Sequence, residues 1–457
     1  MTGARRSVPG PDASRIGSDA SRIGSDSPVG GTAPTCRPLS TSARRRLGRL
    51  RPDGPDEMGR ELAEGPAAVA ATLEAIRSER HGADEILAAA ERIVLLGTGA
   101  SLAMARAAVP AWRAAEQAGT RRGATGAGTG ADRRPRAVLV RESTEAVFGG
   151  VDGDTFRRGD AVIAISQSGI SPETLAAARL AARSGATLVA ITAHARSPLA
   201  AAARATVALP IGEEHGAATK SELATLAALL TLGGGLPDGP TVGAWLAERL
   251  AGIVRSWEAV LPSVPCLVGA PRTWIVGLGA TAGLAHAGAL LWHEKAHRQA
   301  VGGTVSEFRH GLVESVGTRD AVLLLVPWPC TPDLSGYLDL LAREVSALGA
   351  VLIRLENGGV TFGGGFGMGG GRPVDAAGRS AVLRGTRAGL APGSRPGTAE
   401  AEMPATDLAM TATAADLLGQ TLRLQQLARG TAHACGRYVD GFRVLRHVVL
   451  AAPSRFD

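Results

Sequence analysis

The chain has 457 residues, enough for two or three ordinary domains, with 45% hydrophobic residues, only 3% aromatics and a formal net charge of +7. Its longest apolar stretch, near Leu223 to Leu232, falls well short of the ~20 residues a membrane span needs, and the N-terminus lacks the apolar core of an export signal. The positive charge is almost all arginine, Lys220 and Lys295 being the only lysines, which reads as a compositional habit rather than a nucleic-acid surface. Cys36, Cys266, Cys330 and Cys435 stand far apart with no CxxC pair, a pattern that argues against a zinc site and against a disulfide framework. A cytoplasmic protein with no nucleic-acid or membrane partner, no metal and no cofactor is expected.

From Met1 to about Asp56 the chain is rich in Ser, Gly, Pro and Arg and holds a tandem copy, Asp12 to Ser18 repeated as Asp19 to Ser25. Such a segment buries too little apolar surface to offset its ordering entropy, so residues 1–57 are expected to be a disordered tail. From Glu57 onward Leu62, Val69, Leu73 and Ile76 recur at helical spacing, and Arg92 to Leu96 reads as a short buried strand. Val138 to Val140, Ala161 to Ile165, Thr187 to Ile191 and Thr206 to Leu209 are further strand-like runs, with helical stretches such as Ser171 to Ser184 between most of them. The pattern starts again at Trp274 to Val276, with later strands at Val322 to Pro327 and Val351 to Leu355.

This alternation predicts an α/β protein with parallel sheets flanked by helices. The expected organisation is a first domain over 58–245 and a second over 246–457. Two Gly-rich stretches, Gly119 to Arg134 and Asn357 to Glu400, read as flexible insertions.

In the first domain the strand ending at Ile165 runs into Ser166-Gln167-Ser168-Gly169-Ile170-Ser171-Pro172 and then a helix. Compact hydroxyl and amide donors, a glycine that admits close approach and a proline suited to the first helical turn make a loop fit for phosphate. An ordinary Ser-Pro helix cap explains the same residues equally well. A second loop, Gly97-Thr98-Gly99-Ala100-Ser101, also joins a strand to a helix, where ligands of parallel sheets sit. It lacks the third glycine of a dinucleotide fingerprint, which disfavours nicotinamide binding.

Strand, GxS, strand and then SQSGxSPET resembles the sugar isomerase (SIS) domain of glucosamine-6-phosphate synthase and related isomerases and deaminases. The resemblance implies two SIS domains, each a flavodoxin-like three-layer sandwich, and places Gly99, Ser101, Ser166, Gln167, Ser168 and Ser171 around a sugar phosphate. Glu214 to Lys220, EHGAATK, resembles the family's ExxxAST-K segment with one residue fewer and adds Lys220 to that set.

In the second domain a helix carries Trp292-His293-Glu294-Lys295, followed by the loop Ser306-Glu307-Phe308-Arg309-His310-Gly311. Moving a proton between C1 and C2 of a sugar phosphate and opening its ring calls for a carboxylate and an imidazole. By residue type alone, a solvated helix face at Glu294 and Lys295 and an ordinary loop histidine at His310 are the favoured readings. The family has a catalytic Glu on this helix and an E-[LF]-[KR]-H-G loop at the same separation, so the resemblance implies Glu294 as the enediol base and His310 as the ring-opening group, supplied by the other subunit of a homodimer with a shared active site.

Leu291 stands where the family has a lysine, and in the tail Val439 to Val449 His447 takes the place of another, so His447, or Arg446 beside it, is the candidate substitute. Thr2 in place of a nucleophilic Cys, and only 57 residues before the first domain, imply that glutamine is not the nitrogen donor. The expected function is isomerisation or deamination of a glucosamine-6-phosphate- or fructose-6-phosphate-like substrate. The alternatives are a fructosamine-6-phosphate deglycase and a non-catalytic sugar-phosphate sensor.

Overall fold

The computed structural model describes residues 39–51, 56–118, 135–149, 155–356, 359–363 and 403–442. The apolar runs form two five-stranded sheets. The first holds β1 (Arg92–Gly97), β2 (Ala137–Glu142), β3 (Asp160–Ile165), β4 (Thr187–Thr192) and β5 (Ala205–Ala208), all parallel, in the order β2-β1-β3-β4-β5. The second holds β6 (Arg272–Gly277), β7 (Gln299–Thr304), β8 (Ala321–Leu325), β9 (Val351–Glu356) and β10 (Gly359–Gly363), in the order β10-β9-β8-β6-β7, with only β10 antiparallel. The expected α/β class is observed.

Alternate side chains of each strand face opposite layers. Ile93, Leu95 and Ile163 point into a large core, whereas Val94, Leu96 and Val162 point to a smaller one under the helix Pro172–Arg183. The second sheet repeats this: Ile275, Leu323 and Ile353 join the same large core, and Val276, Leu324 and Leu352 pack beneath the helix Pro332–Ala347. Both sheets therefore cover a shared central layer of helices, which includes Glu57–Glu79, Gly99–Ala118, Lys220–Leu232, Ala280–Leu291 and Ala405–Ala434. Every residue of Lys220–Leu232 is buried, which is why that stretch is apolar all round. Residue 246, the expected domain boundary, lies inside the helix Pro240–Arg255.

The two halves also share a device at the strand starts. Arg92 of β1 makes a bidentate pair with Asp160 of β3, at 2.8 and 2.7 Å, and Arg272 of β6 pairs with Asp320 beside β8 at 3.0 Å.

Two expectations need correction. Within the stretch expected to be disordered, Thr41–Arg49 is a helix: Ser40 caps it by accepting from the Ala43 amide, Arg46 donates to the His433 and Ala434 carbonyls, and Ala43 packs against Val264 and Ala434. Cys266 is disulfide-bonded, whereas Cys330 and Cys435 are free thiols. No described helix is long and apolar enough to cross a membrane.

Candidate functional site

In the first sheet β1 has β2 on one side and β3 on the other, so the loops leaving β1 and β3 diverge and open a crevice at the strands' carboxyl ends. Both Ser-containing loops are there. The Ser166 hydroxyl lies 3.1 Å from that of Ser171 and accepts from the Gly169 amide at 3.2 Å, while the Ser168 hydroxyl accepts from the Ile170 amide at 3.4 Å. The backbone of Gln167 is pinned to β4, its carbonyl accepting from the Ala193 amide at 2.9 Å and the Thr192 hydroxyl at 3.1 Å. That leaves the Gln167 side chain half-exposed beside Ser168.

Gly169 has φ +66°, and a Cβ there would come within 2.1 Å of the Ser197 hydroxyl, so no other residue fits. Ser171 makes no capping bond to its helix. Its hydroxyl turns to Ser166 instead, which keeps the loop's donors converging on one point. Gly99 and Ser101 open the neighbouring helix Gly99–Ala118, and Thr98 anchors its entry by donating to Glu142 at 2.9 Å.

Glu294 follows a helix of the second half of the chain that packs against the helix Gly99–Ala118. The helices Gly99–Ala118 and Ala280–Leu291 pack backbone to backbone at Gly283, where a Cβ would fall 2.4 Å from the Ala107 nitrogen. Leu290, at the other end of the contact, is the nearest side chain to Gly99. The helix then loosens into a π-turn over Trp292–Ala296, a distortion that re-aims side chains and recurs at functional sites.

Burial pushes the Glu294 carboxyl up to about 7, against the pull of the Lys295 ammonium. Lys295 itself is buried, not solvated. Leu291 lines one small buried void with Glu222, Leu424 and Gln425.

Further carboxylates gather here that the sequence did not single out. Burial raises Glu61 to about 7 and Glu222 to about 8, and Glu222 also feels the charges of Glu294 and Glu214. Glu222 accepts from the Gln425 amide at 2.8 Å. Thr219 places its hydroxyl 2.7 Å from Glu61 and 3.0 Å from Glu214, and Glu214 also accepts from the Ser221 amide at 2.8 Å. The EHGAATK segment is thus wound around Glu214. Lys220, expected at the sugar phosphate, is ion-paired with Glu64.

A carboxyl whose pKa rises on folding stabilises the fold below its ordinary pKa and loses that contribution as pH climbs through the raised value. Stability should therefore fall as pH rises from about 4.5, the unperturbed value, towards 8. Glu222→Gln keeps an acceptor for Gln425 but cannot ionise, so its melting temperature should exceed that of wild type at about pH 8.5 and match it near about pH 5. Parallel pH dependences in thermal scans would exclude Glu222 as the source.

His310 is elsewhere. It is exposed at the rim of an open cleft of about 670 Å³ that it lines with His286, Ser306 and Glu307. His286 lies eight residues before Glu294, about 12 Å along a helix axis, and Glu294 is not among the residues that line this cleft. Burial, helped by Arg106, lowers the pKa of His286. His447 and Arg446 lie outside the described residues, as do most of both Gly-rich stretches.

Residues 149–233, which include the Ser166–Ser171 loop, match the SIS domain family. The chain carries an SIS domain. The chain is 32% identical over 211 residues to the glutamine–fructose-6-phosphate aminotransferase (isomerizing) of Mycolicibacterium smegmatis, covering 43% of this chain. The chain spans about a third of that relative's length, 33%.

Solved structures extend the likeness of fold across most of the chain. The tagatose-6-phosphate ketose/aldose isomerase of Escherichia coli superposes with a TM-score of 0.63 at 20% identity, over 90% of this chain and 99% of that one. The C-terminal domain of the glucosamine-fructose-6-phosphate aminotransferase of Francisella tularensis gives 0.59 at 20% identity, over 86% and 99%.

Proposed function

We propose that the protein is a sugar-phosphate isomerase or amino-sugar-phosphate deaminase that binds the phosphate on the Ser166–Ser171 loop and transfers a proton between C1 and C2 with Glu294. The observation that supports this reading is a half-buried carboxylate on a π-turn that follows the helix whose Leu290 lies nearest Gly99. With its pKa near neutrality, Glu294 can both take and return a proton, which is what an enediol pathway requires. In the isomerase direction it removes the proton from C1 of the ketose and returns it to C2. In the deaminase direction it removes the C2 proton of the amino sugar and delivers it to C1, after which water displaces ammonia.

Ring opening is assigned to His310. Because His310 is exposed on a cleft that Glu294 does not line, the reading has it act on the site of a second copy, and a homodimer in solution is expected. A neutral-pH screen of purified protein against glucosamine-6-phosphate, fructose-6-phosphate, tagatose-6-phosphate and a fructosamine-6-phosphate tests the assignment. Turnover of a member of the panel is the expected result, and binding without turnover would favour a sensor.

The phosphate loop has its own test. Each hydroxyl that donates to a charged phosphate contributes about 1.5–3 kcal/mol, so replacing Ser166 and Ser168 together by Ala should weaken sugar-phosphate binding by about a hundredfold or more while the fold persists. Unchanged affinity in calorimetry would move the phosphate elsewhere.

A further inference from the structure

Lys295 is one of the chain's two lysines and is 1% exposed. A buried ammonium normally sits against a carboxylate. Among the described residues, however, no carboxylate lies within ion-pair distance of it, and its close contacts belong to the segment that follows the long C-terminal helix. Its Nζ donates to the Gly441 carbonyl at 3.4 Å and stands 4.6 Å from the centre of the Phe442 ring.

A third segment closes on the same atom. Gly216, from the EHGAATK loop, has φ +79°, and a Cβ there would fall 2.7 Å from Nζ and 3.2 Å from the Asp440 carbonyl. The rest of the segment is held independently, by burial of Val439 and by the Asp440 carboxylate accepting from the Met58 amide at 3.1 Å. Phe442 also packs against the large core, and Lys295 adds the polar hold on Gly441–Phe442, linking them to the turn that carries Glu294.

We propose that Lys295 is a positioning residue that clamps Gly441–Phe442 onto the Glu294 turn, so that the half-buried carboxylate and the chain's path out of the C-terminal helix are fixed as one unit. The catalytic half of this proposal rests on Glu294 being the base, while the clamp does not. The charged groups that act on the ammonium are Glu294 from its own turn, Asp440 from the clamped segment and Glu61 from the helix Glu57–Glu79, while Glu294 is also faced by Glu222. Because its cation–π contact is desolvated, the clamp is of the stronger kind, and the positive charge favours the ionised form of Glu294.

The experiment compares wild type with Lys295→Met, which keeps the apolar stem and removes the ammonium. Hydrogen exchange of the peptide containing Gly441–Phe442 should become about tenfold faster, with peptides of the central helices unaffected. In the same variant the acid limb of kcat/KM should move upward by about half a pH unit or more, because Glu294 loses its cation. A purely structural lysine would lower the melting temperature and leave that limb in place.

Phe442→Leu removes the ring but keeps the ammonium, and should speed exchange in the same peptide even if Lys295→Met does not fold. Wild-type exchange rates in whichever variant folds would overturn the clamp. An unmoved limb in Lys295→Met would overturn its link to Glu294. Full activity of Glu294→Gln would overturn the assignment of the base while leaving the exchange result standing.

Discussion

Glu294→Gln is expected to lower turnover on the true substrate by about 10²–10⁴-fold, the contribution of one positioned acid/base, with sugar-phosphate affinity changed only a few-fold. Glutamine matches the carboxylate in shape and leaves the π-turn and the Leu290 contact with Gly99 intact. Only the capacity to hold and return a proton is lost. The wild-type enzyme should also show the carboxylate's titration directly. A base works ionised, so kcat/KM should climb as pH rises through about 7, where burial has moved this group, and the variant's residual rate should lack that limb. Steady-state kinetics across pH, together with calorimetric affinity, provide the check. A variant that loses affinity and turnover in equal measure would make Glu294 a binding group.

Asp56→Ala should be the most destabilising substitution, costing about 3–5 kcal/mol, as expected when one member of a buried ion pair is removed. Asp56 accepts from Arg429 at 2.9 and 2.8 Å and from His433 at 3.1 Å, and it caps the helix Glu57–Glu79 by accepting from the Gly59 amide at 2.9 Å. Arg429 is 2% exposed and in the alanine variant would keep its bond to the Arg51 carbonyl at 2.7 Å while losing this carboxylate.

Burial alone would push the Asp56 carboxyl upward, but hydrogen bonds from His433 and Arg429 outweigh it and hold the group well below its ordinary range. Its contribution is thus present at neutral pH and lost on acidification below the unperturbed value of 3.8. Denaturant melts at neutral and acid pH measure this, with the gap between wild type and variant narrowing as pH falls. A cost under about 1 kcal/mol at neutral pH would mean that the site relaxes and solvates Arg429.

The strands were legible because parallel strands covered on both faces read as unbroken apolar runs. Arg92 to Leu96 and Ala161 to Ile165 are buried throughout. β7 was not, because its sequence, QAVGGT, looks like a loop. Gly302 is there for packing: a Cβ would come within 2.4 Å of the Ala285 carbonyl of the covering helix. The helix Thr41–Arg49 was hidden for a different reason, since its stability comes from docking on Ala434 and Val264 rather than from its own composition.

At the candidate site, loop chemistry pointed to Ser166–Ser171 and the family resemblance to Glu294 and His310, but nothing in residue order distinguishes a buried helix carboxylate from a solvated one. Glu61 and Glu222 were therefore passed over, and Lys295 read as surface. One signal was available. In a chain that otherwise carries its positive charge on arginine, Lys220 and Lys295 are the two positions where a compact ammonium was kept, and both are buried. A flexible stem ending in a point charge fits a confined site that a planar guanidinium would overfill.

The central claim is that Glu294 carries a proton between C1 and C2 of a bound sugar phosphate, and isotope exchange in deuterated water reads that step without reference to net turnover. The substrate identified by the screen is incubated with enzyme, recovered and examined by NMR for deuterium at C1 or C2. Wild type should incorporate label at rates comparable to or above turnover, because a half-buried carboxylate can trade its proton with solvent between the two transfers. Glu294→Gln should incorporate label slower by about 10²-fold or more. Incorporation at equal rates in the two proteins would show that another group moves the proton and would contradict the account.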